Sequence, residues 1–321
     1  MTQPRIAWRA SGNLRLTLRN WRDEEDYERV REFLRRVFLL NGRRLFSWPV
    51  FRFDYWRWHG VENLGQGPLQ EKVFIWEAED GQIAAVLNPE DKGEVFMQLH
   101  PGMRTKELEE DMLTVAEKRL STISQGGRPR VRVWTDEQDG LRQEILKRRG
   151  YAKHGMSEYQ RKRSLDAPIP EARPPDGYFV RPLGGEDELP ARSLASWRAF
   201  HPNESDDRYE GWEWYRNIQR APLYRPELDI VAVASTGEIA SFCTVWFDKE
   251  TGTAFFEPVG TVPTHQRRGL GKAVMCEGLR RLKGMGATRA YVSSYSPEAH
   301  TLYSSAGFTE YDISEPWLKE L

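Results

Sequence analysis

The segment Val262-Pro263-Thr264-His265-Gln266-Arg267-Arg268-Gly269-Leu270-Gly271-Lys272 carries the most chemistry in this chain. It follows a strand-like run and opens a helical one. Glycines at 269 and 271 let the backbone approach a ligand closely. The first N–H groups of a helix lack internal partners and lie at the positive end of its dipole. Arg267, Arg268 and Lys272 add charge, so the segment reads as an anion site suited to a pyrophosphate. A Walker loop is excluded, because Gln266 stands where its first glycine belongs and Ala273 follows the lysine. A dinucleotide fingerprint is excluded too, because Val274 replaces its third glycine.

Other reactive side chains are sparse. Glu257 stands mid-strand among Phe255, Phe256 and Val259, where a carboxylate is costly unless it is paired or useful. Tyr303 shares a helical face with Ala299, Leu302 and Ala306, so it is either a core residue or a proton donor. Cys243 and Cys276 are the only thiols and read as small core residues, which excludes a disulfide scaffold and a four-Cys zinc site. The six His are scattered without metal-ligand spacing, so no metal is expected. In Tyr209–Tyr215, the rings of Trp212, Trp214 and Tyr215 either pack or hold a cationic amine.

The elements that must position these groups follow from local pattern. Tyr178–Leu183 is extended, Asp187–Phe200 and Ser205–Arg220 are helical, and Leu228–Ser235 and Ile239–Phe247 form a hairpin around Gly237. Thr253–Val262 is the strand before the loop, ended by Pro263. Gly271–Met285 is a crossover helix, Arg289–Tyr295 a strand, and Ser296-Pro297-Glu298 opens a last helix that Gly307 closes. Phe308–Ile313 is the final strand. Hairpins followed by strand–helix–strand–helix–strand imply an α/β (α+β) fold.

Gln-x-x-Gly-x-Gly after a strand ending Val-Gly-Thr-Val-Pro resembles the acetyl-CoA loop of the GNAT (Gcn5-related N-acetyltransferase) superfamily. About 36 residues on, Ala299-x-x-Leu302-Tyr303-x-x-x-Gly307-Phe308 resembles that superfamily's closing motif. The resemblance covers the second half and implies a mixed, mostly antiparallel sheet flanked by helices. It implies acetyl-CoA as co-substrate, held by Gly260, Thr261, Val262, Gln266, Arg267, Arg268, Gly269, Leu270, Gly271, Lys272, Ser296 and Tyr303. Ser296 stands where many members carry Asn. The Val262 amide would polarise the thioester carbonyl, Tyr303 would be the acid and Glu257 the base. The implied reaction is direct acetyl transfer to a primary amine in a ternary complex, the acceptor being a small molecule.

Four proline residues in Ala167–Gly177 mark a stiff linker between residues 1–166 and 178–321. The halves share features in order: Trp56-Arg-Trp58 with Trp212-Glu-Trp214, Gly81-Gln-Ile-Ala84 with Gly237-Glu-Ile-Ala240, and Arg149-Gly-Tyr151 with Ala306-Gly-Phe308. An internal duplication follows, two tandem GNAT-like domains, as in the mycothiol synthases. The same offsets place Glu107 and Glu109 opposite Gly269 and Gly271, Val95 opposite Glu257 and Leu146 opposite Tyr303. The first half is therefore expected to keep the fold without the activity.

With Lys+Arg 47 against Asp+Glu 48, no broad basic field exists for nucleic acid. No apolar run approaches the ~20 residues of a membrane span, and Met1–Asn20 lacks an apolar signal core, so a cytoplasmic protein is expected. Oligomeric state is left open. Two alternatives stand beside the enzyme: a CoA-binding sensor or scaffold without turnover, and an N-acetyltransferase acting on protein.

Overall fold

The computed structural model describes residues 7–10 and 14–321, so part of Met1–Asn20 lies outside the described residues. The chain forms two compact units. One comprises Met1–Glu158 with Asp312–Leu321, the other Tyr159–Tyr311. The units are thus discontinuous in sequence, and each contains a strand from beyond the division read at the prolines.

In the second unit, Tyr178–Pro182, Asp229–Ala234, Ile239–Asp248 and Thr253–Thr261 pair antiparallel in succession. Thr253–Thr261 then pairs parallel with Arg289–Ser294, which pairs antiparallel with Glu158–Ser164. The helix Leu270–Gly284 crosses between the parallel strands and buries Leu270, Val274, Met275, Leu279 and Leu282. These pack on Ile230, Val245, Phe256 and Phe308 in one core. Gly278 permits that approach, because a Cβ there would stand 2.9 Å from the Phe256 ring.

Three readings are corrected. Ser205–Arg220 is no continuous helix: a short turn at Asp206–Arg208 and the helix Trp214–Gln219 are separated around Gly211, whose φ of +106° breaks helical geometry. The last strand runs Glu310–Glu320, and its residues from Ser314 pair with Pro129–Asp136 of the first unit. The proline-rich segment is extended, as proline dictates, but it lies within the second unit. Ile169 and Ala172 pack on that unit's core, and Arg163 donates to the carbonyls of Ala167 and Pro168.

The first unit repeats the hairpins and the parallel pair with Leu14–Asn20, Phe74–Ala78, Ile83–Asp91, Glu94–Leu99 and Pro129–Asp136. Its second core cluster holds Trp21, Tyr27, Phe33, Trp48, Phe53, Trp56 and Phe96. Much of the aromatic excess of the sequence is therefore packing. Among the described residues no helix is long and apolar enough to cross a membrane.

Candidate functional site

In the second unit the parallel pair is joined only at Thr253–Arg289, Ala254–Ala290 and Phe255–Tyr291. Past Phe255 the two strands no longer pair with each other. At that level the neighbouring hairpin is bulged. Val245 pairs with Phe256 and Cys243 with Val259, so Thr244 alone faces Glu257 and Pro258. A bulge bends its strand and re-aims a side chain, here Glu257. The sequence reading missed it, although Pro258 inside a strand was its signal.

Main-chain direction alternates along a strand. The Val262 N–H donates to Ala240 O at 2.9 Å. The Val262 N–H and the Gly260 main chain are therefore spent on the hairpin, the Val262 carbonyl accepts the His265 N–H at 2.9 Å, and Thr261 turns its main chain toward the opened side. The expected role of the Val262 amide is corrected accordingly; Thr261 is the residue with main-chain groups on that side. Gly260 is required by packing, since a Cβ would lie 2.4 Å from the Phe242 ring.

The loop turns at Pro263–His265 and enters the helix through two left-handed residues, Arg267 (φ +61°) and Gly269 (φ +78°). No side chain caps Leu270–Gly284. Gln266, Arg267, Arg268 and Gly269 are exposed, Lys272 is half-buried, and Leu270 and Gly271 are buried. A Cβ on Gly271 would stand 3.1 Å from Leu302, so the helix start sits tightly against the helix Pro297–Ser305. Gln266 reaches back from Nε2 to Thr261 O at 3.3 Å. His265 lies outside this chemistry: its ring bonds Tyr178 Oη at 2.8 Å and Glu238 Oε2 at 3.2 Å.

Tyr303 is buried, 7 % exposed, on that last helix. Burial first, and the Glu257 charge second, hold its phenol far above the usual tyrosine range. The hydroxyl thus keeps its proton, and Glu257 lies within electrostatic reach of it. Ser296 Oγ accepts the Ala299 N–H at 3.2 Å and caps this helix. Cys243 and Cys276 are buried free thiols, both pushed up chiefly by burial. Neither has the thiolate character of a nucleophile.

Behind the bulge lies a buried charge network that sequence reasoning did not find. Arg192 is fully buried, with Nε 3.4 Å from Asp229 Oδ1 and Nη2 donating to Thr244 Oγ1 at 3.2 Å. Tyr215 and Tyr224 donate to Asp229 Oδ2 at 2.6 and 3.0 Å. Thr244 is the residue facing the bulge, so this network braces it. Its one sequence signal was Asp229 beginning an apolar strand. The aromatic set does hold cations over rings, but they are the chain's own. The Arg192 guanidinium lies 5.0 Å from the Tyr215 ring centre, and Arg216 lies 4.6 Å from that of Trp212. Tyr215 is 1 % exposed, and Trp214 meets it edge-on at 5.3 Å. Tyr215 is thereby a core residue rather than an open contact for an acceptor.

The first unit has the same frame with other contents. Its parallel pair is joined at Glu94–Arg132 and Val95–Val133, and the hairpin is regular from Ala85–Leu99 to Pro89–Val95, the register shifting only beyond Pro89, at Glu90, so no bulge stands at the level of Glu257. Its helix Lys106–Arg119 is capped by Thr105, whose Oγ1 accepts the Leu108 N–H at 3.2 Å. Aligned by caps, Glu107 rather than Glu109 matches Gly271, a two-residue shift from the reading by offset. Glu109 is fully buried and pairs with Arg104 and, at 2.9 Å, with Arg142. Leu146 does match Tyr303, because Tyr151 N–H to Leu146 O repeats Phe308 N–H to Tyr303 O. No group of His, Cys, Asp or Glu able to hold a metal ion occurs among the described residues.

The sequence model of the Acetyltransferase (GNAT) family matches residues 191–308. The chain is 28 % identical to a mycothiol acetyltransferase of Kineococcus radiotolerans, over 76 % of this chain and 80 % of that one. It is 27 % identical to a mycothiol acetyltransferase of Thermomonospora curvata, over 78 % and 86 %. Among solved structures, a GCN5-related N-acetyltransferase from Sphaerobacter thermophilus has a TM-score of 0.66 at 18 % identity, covering 95 % of each chain. A tandem GNAT protein from the clavulanic acid biosynthesis pathway also gives 0.66, at 14 % identity, covering 95 % of this chain and 98 % of its own.

Proposed function

We propose, from the premise that residues 191–308 are a GNAT acetyltransferase domain, that this enzyme transfers acetyl from acetyl-CoA directly to the primary amine of a small molecule. The observation that carries the reading is the uncapped, doubly left-handed entry into Leu270–Gly284 beside a strand that has lost its parallel partner. The residues fit the co-substrate. Amides at the start of that helix, with Arg267, Arg268 and Lys272, suit its diphosphate. The Thr261 main chain is free of the hairpin and suits an extended amide-bearing arm, bound as an added strand would be.

Three proton movements complete the reaction. The acceptor ammonium loses a proton before its nitrogen attacks the thioester carbonyl, and Glu257, directly or through water, takes it. The C–S bond breaks, the departing thiolate receives a proton from Tyr303, whose hydroxyl is protonated at the outset, and the attacking nitrogen gives its second proton to the resulting phenolate as the amide forms. No covalent acyl-enzyme is involved. The first unit lacks the open helix start, the bulge carboxylate and the tyrosine, so we assign turnover to the second unit alone. The relatives named mycothiol acetyltransferase support a small polar acceptor over a protein one.

The test is CoA-thiol release with a panel of small amines and amine-bearing peptides. Turnover on a small amine is the expected result. Tight acetyl-CoA binding without turnover on any acceptor sinks the enzyme reading and favours a sensor. Isothermal titration is expected to find one acetyl-CoA site per chain, and two sites contradict the assignment to the second unit. A trapped acetyl-cysteine in the mass spectrum contradicts direct transfer.

A further inference from the structure

We propose that the first unit carries a second, independent binding site, for a small polyanion. The site is a cavity of about 260 Å³ where the hairpin of Ile83–Asp91 and Glu94–Leu99 turns and the helix Lys106–Arg119 ends. Three elements bring one cation each. Lys72 ends the short helix Leu69–Lys72, Lys92 lies in the hairpin turn, and Arg119 is the last residue of its helix.

Their company is unusual for this unit. Arg19, Arg31, Arg52, Arg104 and Arg149 all meet carboxylates. Among the described residues Lys72, Lys92 and Arg119 form no ion pair. Two carboxylates also line the cavity. Glu90 is already committed to Arg52 through two bonds of 2.6 Å. Asp91 Oδ1 takes the Lys92 N–H at 2.7 Å. Arg52 is shared with Glu158, yet three cations against two carboxylates still leave the wall positive, and gathering like charges around one concavity is unfavourable until an anion enters.

The remaining polar groups point the same way. Gln66 Oε1 accepts from Trp56 Nε1 at 2.9 Å, which makes its Nε2 the donor left for the cavity. Ser121 and Thr122 add hydroxyls. Gly93, at φ +76°, brings the turn so close to Thr122 that a Cβ would stand 2.4 Å from its methyl, and this contact shapes the wall. A wall of donors and cations calls for a ligand with several acceptor oxygens and more than one negative charge. Phosphate and carboxylate groups both meet that description. The cavity lies at the far end of Lys106–Arg119 from its capped start, about 20 Å away for a helix of its 14 residues. It is therefore separate from the place that corresponds to the acetyl-CoA loop, and the proposal does not depend on the acetyl-transfer reading.

The experiment is isothermal titration of the full chain, wild type and Gly271→Glu, with inorganic pyrophosphate and separately with citrate at low salt. The Gly271→Glu background removes pyrophosphate binding at the acetyl-CoA loop, and the wild type keeps the test valid if that variant fails to fold. One saturable event is expected in Gly271→Glu with either probe, and in the wild type pyrophosphate is expected to add a second, at the acetyl-CoA loop, that substitutions in the cavity leave in place. Joint reversal by Lys92→Glu and Arg119→Glu should weaken the cavity event by about tenfold or more, as loss of charged donors predicts, with a cooperative melt retained because both side chains are exposed. Lys118→Glu, an exposed neighbour outside the cavity, should leave it nearly unaltered. The tighter probe tells phosphate from carboxylate chemistry. Absence of saturable binding by either probe, indifference to the double reversal, or an equal loss from Lys118→Glu overturns the proposal.

Discussion

The two units begin the same helix in opposite ways. Leu270–Gly284 starts at a glycine with φ +78° and no side-chain cap. Lys106–Arg119 starts at Thr105, which satisfies an N–H of its own first turn, and carries Glu107 and buried Glu109 just inside. One helix start has no side chain on its first N–H groups; the other satisfies one of them internally. The parallel strands beside each part company after two or three pairs, so the opening belongs to the fold. What differs is whether polar groups are left for a ligand. A shared frame thus persists while the polar groups at its mouth are replaced by capping and ion pairing, both of which stabilise the unit.

This contrast can be broken or sharpened by substitution. The largest effect is expected at Tyr303. Tyr303→Phe should lower kcat by about 10²- to 10⁴-fold, the range for a general acid, with acetyl-CoA affinity preserved; an unchanged kcat removes the acid from the mechanism. Glu109→Ala removes the buried carboxylate that Arg104 and Arg142 share, leaving both to Asp139, and should cost the first unit about 3–5 kcal/mol in chemical denaturation, without creating an acetyl-CoA site. Gly271→Glu gives the second helix the acid of the first. It should weaken acetyl-CoA binding by about 100-fold, from lost charge-assisted hydrogen bonds and the approach to Leu302, read by calorimetry.

Two smaller tests concern protons and caps. Burial pushes the Asp54 carboxyl up to about 6, against the pull of Arg31. A carboxyl raised in the folded state contributes stability below its unfolded value near 3.8, and that contribution is lost as pH rises through 6. Between about pH 4 and pH 6 this loss opposes the rise that His59, whose pKa burial lowers to about 4, contributes to the same unit, and Asp54→Asn should make melting of the first unit climb more steeply with pH. A slope unchanged by the substitution assigns the effect elsewhere. Thr105→Ala should cost about 1 kcal/mol, the worth of an N-cap, with no gain of acetyl-CoA binding; a gain would mean that capping alone silences the first unit.

The local part of the site was legible. Gly269, Gly271 and the adjacent cations read as an anion-binding helix start because backbone freedom, the helix dipole and charge all act within a few residues. The Tyr303 motif and the matching Leu146 were legible for the same reason, since each is set by its spacing to a closing glycine. The bulge at Glu257 and Pro258 was not read, because it is a relation between two strands. Arg192 was hidden for a related reason: a buried cation looks in sequence like any helix-face arginine until Asp229, Tyr215 and Thr244 are seen around it.

Short-range pattern alone set the order and type of most elements in the second half, the glycine-bearing, cation-rich entry to a helix, and a repeated frame with one altered copy. These depend on periodicity, turn chemistry and spacing, which short-range forces write into neighbouring residues. Only the tertiary structure decided which unit owns Asp312–Leu321 and Tyr159–Ser164, that Tyr215 stacks on Arg192 instead of facing outward, and that Thr261 rather than Val262 turns its main chain to the opening. Strand pairing, register and burial are choices among distant partners of similar local pattern. They are settled by which pairing closes the cores and satisfies the buried charges together.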